Sequence, residues 1–425
     1  MRDHPALNTN AVAPVMNPKA GGIFYGEQPV MASRVSLAGM VPIGVNGRVA
    51  PSAALPAQSR PRKLIWIAAL LGLMLAVAPA LADTTTLRLG YPGVGADNRE
   101  FAYGDIVAIA HAGHFIENEF ASDPDVKVEW TFFRGAGPAV NEALAAGQLD
   151  FAAGLGDLPA IVGRANGLKT KWLLTDKTHD TIYLGVRPNS GIKRIEDLQG
   201  HKLSQFKGTN LQIAADRVLA AHGLTERNAR FINLDFANAL AALVAGDIDG
   251  SFGGVELLDL QRRGVVDIVY TTKGDDPSFG RNSSTYVTEA FEQTHPELVA
   301  RVVRALVKAA RFGADEANRE AVFALWAKSG IPAESFREDF EGEPLAHRLT
   351  PLIDDYVVAR YRDQAQRSKE YGLVRKAVDV DGWVERKYLD QALAALQLAH
   401  YWPHYDAAGN KVAVGESAPA TAAAK

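Results

Sequence analysis

The sequence contains no cysteine, and its charges nearly balance, with a formal net charge of −4 over 425 residues. The lack of thiols excludes disulfides, thiolate metal sites and cysteine nucleophiles. The lack of a polybasic surface argues against a nucleic-acid partner. The Walker A loop, the G-x-S-x-G serine elbow and the H-E-x-x-H zinc motif are also missing. These absences predict a protein without catalytic residues of those classes, without a metal and without a cofactor.

A weak metal candidate lies on one predicted helix, where His111, His114 and Glu117 follow one another at intervals of three residues. The zinc motif of helices places its two histidines four residues apart, and no thiolate is available to complete a site here. We therefore expect no metal at these residues either.

The N-terminal region divides into two parts of different composition. Residues 1–59 lack a periodic pattern, which indicates a disordered extension or a start codon assigned too early. In residues 60–82, basic residues precede the apolar run 64–77, and Ala80-Leu81-Ala82 follows, as in a secretory signal peptide. The run is shorter than a membrane span usually needs. Cleavage after Ala82 would release an exported protein that begins at Asp83, and an uncleaved membrane anchor is the alternative.

Strand-like and helix-like segments alternate along the rest of the chain. Residues 86–91, 127–133 and 149–153 have the character of strands, and helical patterns at 105–120 and 135–146 separate them. Alternation of this kind predicts a parallel sheet covered by helices. With 47% hydrophobic residues, the chain is long enough for two such lobes.

An internal repeat supports the two lobes. Residues 143–154 resemble residues 242–253, and each copy contains a helix end, a glycine at Gly147 or Gly246, a short turn and a strand. Glycine at a helix end is common, so chance matching is the alternative. The repeat otherwise predicts two similar α/β units.

The segment 202–222 has the features of a strand, a tight turn and a helix. Gly208 permits the turn, and Thr209 or Asn210 can cap the helix that follows. The free N–H groups at the start of a helix attract anions, so this loop is a candidate ligand site. An ordinary helix cap is the alternative.

Two strand-like segments mark where the chain would pass between the lobes, at 181–186 and 283–287. After the second of them the pattern is helical almost to the end. The divisions that we expect are lobe 1 from 86–183 plus 285–345, lobe 2 from 184–284, C-terminal helices packed on lobe 1 at 346–403, and a mobile tail at 404–425.

The sequence resembles a known family, the substrate-binding proteins of bacterial ABC importers for aliphatic sulfonates, taurine and nitrate. The family includes binders of thiamine precursors. The matching pieces occur in order over about residues 86–330. They are Leu87-Arg88-Leu89-Gly90-Tyr91, Ala136-Gly137-Pro138, Glu142-Ala143-Leu144 with Gly147, Gly156-Asp157-Leu158-Pro159-Ala160, Ile195-Glu196-Asp197-Leu198-Gln199-Gly200, Lys207-Gly208-Thr209-Asn210, Ala245-Gly246-Asp247-Ile248-Asp249 and His295-Pro296-Glu297-Leu298.

The resemblance implies the two-lobe fold of type II periplasmic binding proteins, an α/β fold with two crossover strands, to which this chain adds C-terminal helices. It implies a periplasmic, monomeric protein that captures a small ligand between the lobes and delivers it to a membrane permease with its ATPase. The chain departs from the family pattern at Leu155, where Ser or Thr is usual, and at Gly253 to Glu256, where Trp-Asp-Pro is usual.

Ligands of parallel sheets gather beyond the carboxyl ends of the strands, and this rule selects the loops that carry the candidate site. Arg134 could contact an oxyanion with two hydrogen bonds, or could be a solvated loop residue. A carboxylate at Glu256 would repel an anion, so a cationic or zwitterionic ligand is possible there. The candidate ligand-binding residues are Tyr91, Phe133, Arg134, Gly156, Asp157, Gly208, Thr209, Asn210, Gly254 and Glu256.

Two functions from different classes fit these observations. The first is a solute receptor of an ABC importer, without catalysis. The second is an enzyme on the same scaffold, related to desulfinases or to proteins that form a thiamine pyrimidine precursor. The enzyme relatives use a Cys or His at the cleft, and the candidate loops contain neither.

Overall fold

The computed structural model describes residues 84–412, which fall within one unit of the chain, Ala80–Lys425. The expected extension at 1–59, the signal peptide at 60–82 and the last part of the tail lie outside the described residues. Within 84–412, no helix combines the length and the apolar character that crossing a membrane requires.

Twelve strands and fourteen α-helices follow one another along residues 84–412. The strands are β1 (Thr85–Tyr91), β2 (Val126–Phe132), β3 (Phe151–Gly156), β4 (Thr170–Asp180), β5 (Tyr183–Val186), β6 (Lys202–Gln205), β7 (Arg230–Asn233), β8 (Gly250–Gly253), β9 (Asp267–Thr271), β10 (Arg281–Thr288), β11 (His404–Tyr405) and β12 (Lys411–Val412). The helices are α1 (Ile106–Ala112), α2 (Phe115–Glu119), α3 (Ala136–Ala145), α4 (Asp157–Ala165), α5 (Asn210–Ala221), α6 (Phe236–Ala245), α7 (Glu256–Arg262), α8 (Glu289–Thr294), α9 (Pro296–Ala314), α10 (Arg319–Ala327), α11 (Ala333–Asp339), α12 (Leu345–Arg348), α13 (Asp355–Glu370) and α14 (Lys387–Ala395).

Two five-stranded sheets form the centres of two lobes. The sheet of lobe 1 has the order β2-β1-β3-β10-β4, and that of lobe 2 has the order β7-β6-β8-β5-β9. In each sheet the first three strands are parallel, and the fourth is antiparallel to both of its neighbours. The repeated segments end in β3 and β8, which are the third strands of their sheets. The expected α/β fold with two similar sheets is therefore confirmed.

The chain passes between the lobes twice, and each passage lies beside a segment that the sequence had marked. β4 of lobe 1 ends at Asp180, and β5 of lobe 2 begins at Tyr183. The return runs from the end of β9 at Thr271 to the start of β10 at Arg281. The antiparallel strand of each sheet is thus the one that follows a passage.

The burial of the elements explains why these residues form them. All residues of β3 are buried, because a strand in the middle of a sheet with helices on both faces is covered on each side. In α9, Val299, Val302, Val303, Leu306 and Ala310 are fully buried, at the three- and four-residue spacing of one helix face. These contacts join the long helix to the core of lobe 1.

Two local expectations differ from the structure. The helix expected at 105–120 is interrupted, because Gly113 ends α1 and His114 takes a left-handed conformation with φ of 54° before α2. The tail expected to be mobile from 404 begins with a hairpin of β11 and β12. The Tyr405 amide donates to Asp354 Oδ2 at 3.0 Å, and this contact holds the hairpin to the body of the protein.

Candidate functional site

A cavity of about 120 Å³ lies between the two sheets, at the carboxyl ends of their parallel strands. Tyr91, at the end of β1, and Gly156, at the end of β3, line it from lobe 1. Thr209, just before α5, and Glu256, at the start of α7, line it from lobe 2. Loops from both lobes therefore enclose one space, as a receptor that closes on its ligand requires.

A buried tyrosine–aspartate pair forms one wall of this cavity. Asp105 is the N-cap of α1 and accepts from the Ala108 amide at 2.7 Å. The Tyr91 hydroxyl donates to the other oxygen of Asp105 at 3.0 Å. Burial raises the pKa of Asp105 to about 6, and burial also raises the pKa of Tyr91. The wall is polar, and its donors and acceptors are paired with each other.

An ion triplet, Lys177, Asp180 and Arg281, also borders the cavity. Lys177 Nζ and Arg281 Nη2 each lie 2.6 Å from an oxygen of Asp180, and all three side chains are largely buried. Burial opposes the ionisation of Asp180, but the charges of Arg281 and Lys177 outweigh it and lower the pKa of this carboxyl. The triplet joins the end of β4 to the start of β10, where the chain passes between the lobes.

The loop before α5 satisfies several of its own polar groups. The Gly208 amide donates to Gln212 Oε1 at 2.8 Å, and Gly208 has a φ of 78°. Thr209 occupies the N-cap position, but its hydroxyl donates to the Phe206 carbonyl at 2.7 Å and caps no amide of the helix. Asn210 Nδ2 donates to the Asn282 carbonyl at 3.2 Å. Thr209 and Asn210 line the cavity, and Gly208 lies just outside it.

The start of α7 is negatively charged. Glu256 Oε1 accepts from the Gly254 amide at 2.7 Å, and the side chain of Glu256 borders both the cavity and a neighbouring one of about 250 Å³. A β-carbon at Gly254 would lie 2.8 Å from Arg281 Nη2, so this glycine allows the arginine to approach the loop. Val255 and Glu256, at the end of the loop where the sequence departs from the family pattern, thus line the cavity.

The remaining predicted residues lie at the edge of the cavity or away from it. Arg134 lines the neighbouring cavity and pairs with Asp235 of lobe 2, with Nε 3.0 Å from Oδ2. Phe133 packs against the hydrophobic core. Asp157 is fully buried, and its Oδ2 accepts from Gln364 Nε2 at 3.2 Å. Burial raises the pKa of Asp157 to about 6.

Several cavity residues come from segments that the sequence analysis did not select. Lys177 and Arg281 belong to strands beside the passages between the lobes, and α11 contributes Phe336 and Asp339. The sequence did contain a signal for the ion triplet, because its charged residues lie next to the predicted crossover strands. No comparable signal marked α11, because its apolar residues have the spacing of an ordinary core helix.

The histidine pattern on the first helix has a structural explanation. His111 packs edge-on against Trp130 and Phe132, and Glu117 Oε1 accepts from Trp130 Nε1 at 2.8 Å. Among residues 84–412, no group of His, Asp and Glu side chains has the arrangement of a metal site.

Comparisons with known proteins agree with this architecture. Residues 120–318 match the family described as NMT1/THI5 like. The chain is 29% identical over 195 residues to an aliphatic sulfonates-binding protein of Escherichia coli, an alignment that covers 43% of this chain and 53% of that protein. It is 26% identical over 298 residues to a protein of the same description from Bacillus subtilis, covering 67% of this chain and 84% of the relative. The match to the Escherichia coli relative thus spans about half of that protein.

Solved structures show the same fold. The periplasmic sulfonate-binding protein of Methylobacillus flagellatus matches with a TM-score of 0.66 and 26% identity, covering 76% of this chain and 98% of that one. A desulfurization enzyme also matches, with a TM-score of 0.53 and 18% identity, covering 73% and 99%. The second match concerns the fold alone. The resemblance expected from the sequence is therefore confirmed: the chain is similar to aliphatic sulfonate-binding proteins and has the two-lobe fold of periplasmic binding proteins.

Proposed function

We propose that this protein is the solute-binding component of an ABC import system. It captures a small ligand, such as a sulfonate, taurine, nitrate or a related compound, in the cavity between its lobes. The observation that carries the proposal is that loops at the strand ends of both sheets line one cavity. A ligand in that space would contact both lobes and stabilise their closed arrangement.

In this proposal lobe 1 comprises 86–183 plus 285–345, lobe 2 comprises 184–284, and the helices of 346–403 pack on lobe 1. Sheet membership supports the division except at its boundaries: β5 to β9 form one sheet, which includes Tyr183, and the strand that begins at Arg281 belongs to the sheet of lobe 1. The ligand contacts that we propose are Tyr91, Gly156, Thr209, Asn210 and Glu256, which line the cavity.

The proposed partners are a membrane permease and its ATPase, and the proposed location is the periplasm, with the protein acting as a monomer. The relatives are described as sulfonate-binding proteins, and one is described as periplasmic. The signal-peptide pattern in residues 60–82 supports export. N-terminal sequencing of the exported protein should find Asp83 at or near the start. A mature chain that still carries residues 64–77 would instead identify a membrane anchor.

The alternative is an enzyme on the same scaffold, since a desulfurization enzyme shares the fold. Among the described residues, the lining of the cavity between the lobes and of its neighbour includes neither cysteine nor histidine, and Ser283 is the sole serine there. No histidine base is available to Ser283 at this cavity, and the ammonium group of the neighbouring Lys177 is paired with Asp180 at 2.6 Å. This composition favours binding without turnover.

Native mass spectrometry of freshly purified protein, followed by a thermal-shift screen, tests the proposal. The screen contains sulfonates, taurine, nitrate and thiamine precursors. We expect one ligand to bind without chemical change and to raise the melting temperature, because it binds the folded state alone. Conversion of a bound compound into a product would support the enzyme instead.

A further inference from the structure

The neighbouring cavity of about 250 Å³ continues the main cavity between the lobes. Six residues line both spaces, so the two cavities meet: Gly93, Val94, Tyr103, Ala136, Phe236 and Glu256. Both lobes also contribute to the rest of the neighbouring cavity, with Ile331 from lobe 1 and Leu240 from lobe 2. A ligand that binds in the main cavity therefore has room to extend into the neighbouring one while it still contacts both lobes.

The main cavity offers hydrogen-bonding capacity to a polar group. Arg281 pairs with Asp180 through Nη2, and among residues 84–412 its Nε is buried without a partner. A guanidinium carries five N–H donors, so one ion pair does not use all of them. The same holds for the ammonium group of Lys177, which has three donors and pairs with Asp180. A polar group of the ligand can thus replace the water that it loses on entering the main cavity.

The neighbouring cavity offers mainly apolar contact. The small and apolar residues that line it alone are Gly95, Ala96, Ala237, Leu240 and Ile331. Two of its charged residues, Arg134 and Asp235, pair with each other at 3.0 Å, and a third, Asp97, is exposed. Among residues 84–412, no side chain of this wall holds a buried polar atom that lacks a partner. The two connected spaces therefore differ in what they can bind.

This difference decides which part of a ligand each space favours. Water next to an apolar wall forms few hydrogen bonds with it, so an apolar group that displaces this water strengthens binding. A polar group in the same place would lose its hydration without gaining a partner, which weakens binding. Ligand pockets are generally apolar, with a few polar groups that fix the orientation of the ligand, and the two cavities together have this character.

Resting on the proposed binding function, we propose that the ligand is an organic compound with one polar end and an apolar tail. The polar end lies in the main cavity, and the tail, an alkyl or aryl group of several carbon atoms, fills the neighbouring cavity. Phe236, Leu240 and Ile331 are then the residues that select for the tail. Nitrate has no such part, and the two-carbon chain of taurine ends in a second polar group, so neither fills both cavities.

Two probes with the same polar end test this inference by calorimetry at pH 7: methanesulfonate and hexanesulfonate. Each methylene group that moves from water to an apolar wall strengthens binding by up to about fourfold. Hexanesulfonate should therefore bind at least about tenfold more tightly than methanesulfonate, with a more negative heat-capacity change. A smaller gain overturns the inference, and binding of methanesulfonate in that case leaves the proposed function standing.

A change in the wall of the neighbouring cavity locates the tail. Leu240→Asn replaces an apolar side chain by a polar one of similar size, so it should reduce the advantage of hexanesulfonate by at least about threefold. Its affinity for methanesulfonate should stay within about twofold of the wild type, which shows that the site is folded. Leu240→Ala removes the same contact and serves if asparagine impairs folding. An unchanged advantage in a folded Leu240 variant overturns the assignment of the tail to this cavity.

Val244→Asn is the matched control. Val244 lies one turn further along α6, is 56% exposed and is outside the lining of both cavities, so the variant should keep the full advantage of hexanesulfonate. Failure of both sulfonates to bind at 10 mM also overturns the inference. The proposed function falls with it if no ligand is retained on purification.

Discussion

Gly156 of lobe 1 and Asn210 of lobe 2 face each other so closely that a β-carbon on Gly156 would lie 2.8 Å from Asn210 Cβ. Real side chains essentially never approach to that distance. A second glycine, Gly208 of lobe 2, lies equally close to Pro138 of lobe 1, with 2.9 Å from its added β-carbon to Pro138 Cγ. Small residues thus allow the lobes to meet at the rim of the cavity.

Gly156→Ala should therefore weaken ligand binding with little effect on the stability of the free protein. The added methyl group holds the lobes slightly apart, and we expect affinity to fall by roughly 1–2 kcal/mol, about five- to thirtyfold. Calorimetry measures the loss, and small-angle scattering with saturating ligand should show a larger radius of gyration than in the wild type.

Gly382→Ala is the matched control for that change. Gly382 is exposed, and its added β-carbon would meet only the end of the Asp379 side chain. It should bind ligand as the wild type does. Equal affinity of Gly156→Ala and Gly382→Ala would show that this contact does not limit closure.

Arg134→Ala should produce a small loss of affinity that depends on salt. Arg134 pairs with Asp235 across the lobes at 3.0 Å, and its side chain is 48% exposed. An exposed ion pair contributes about 0.2–1 kcal/mol, less at high ionic strength. We expect a change of about fivefold or less in 20 mM salt, and nearly none in 500 mM. A large loss at both salt concentrations would indicate that Arg134 binds the ligand directly.

Thr209→Ala should weaken ligand binding, and Thr209→Ser should not. The Thr209 hydroxyl holds the loop before α5 through its hydrogen bond to the Phe206 carbonyl, and the residue lines the cavity. Loss of one hydrogen bond corresponds to about 0.5–1.5 kcal/mol, roughly two- to tenfold in affinity. Serine keeps the hydroxyl and loses only the methyl group. Calorimetry on the two variants therefore separates the effect of the hydrogen bond on affinity from the effect of the methyl group. A Thr209→Ala protein that loses thermal stability but binds normally would assign the hydroxyl to loop stability alone.

Asp105→Asn should stabilise the protein at high pH more than at low pH. Burial raises the pKa of Asp105 in the folded state to about 6, above the unfolded value of 3.8. The stability from this group is fully present below the unfolded pKa and is lost as pH rises through 6. An asparagine side chain at position 105 does not ionise, and asparagine remains a good N-cap for α1. Its free energy of unfolding relative to the wild type should rise by about 1–3 kcal/mol between pH 4 and pH 8.

Urea denaturation at the two pH values measures this difference. Asp390→Asn, at an exposed position on α14, is the control and should show no comparable change. A parallel pH dependence in Asp105→Asn and the wild type would show that Asp105 ionises freely in the folded protein.

The sequence by itself determined the alternation of strands and helices, the repeated unit and the glycine turns. These features depend on neighbours within a few residues, so local periodicity was sufficient for them. The segments 181–186 and 283–287, which the sequence analysis placed at the crossings, overlap the strands β5 and β10 that follow the two passages. Within the long helical pattern at 105–120, the break at Gly113 and His114 was missed because the apolar spacing continues across it.

Tertiary structure alone decided which groups meet in the cavity and which are already paired. Asp180 and Arg281 are about a hundred positions apart along the chain, and Tyr183 and Asp339 are more than a hundred and fifty apart, yet each pair is in direct contact. Arg134 pairs with Asp235, and the Gly208 amide donates to Gln212. Lys177 and Arg281 both pair with Asp180, while Arg281 Nε is buried without a partner among residues 84–412. Which donors and charges remain for a ligand depends on contacts between residues that the sequence keeps far apart, because each such contact uses part of a side chain's hydrogen-bonding capacity.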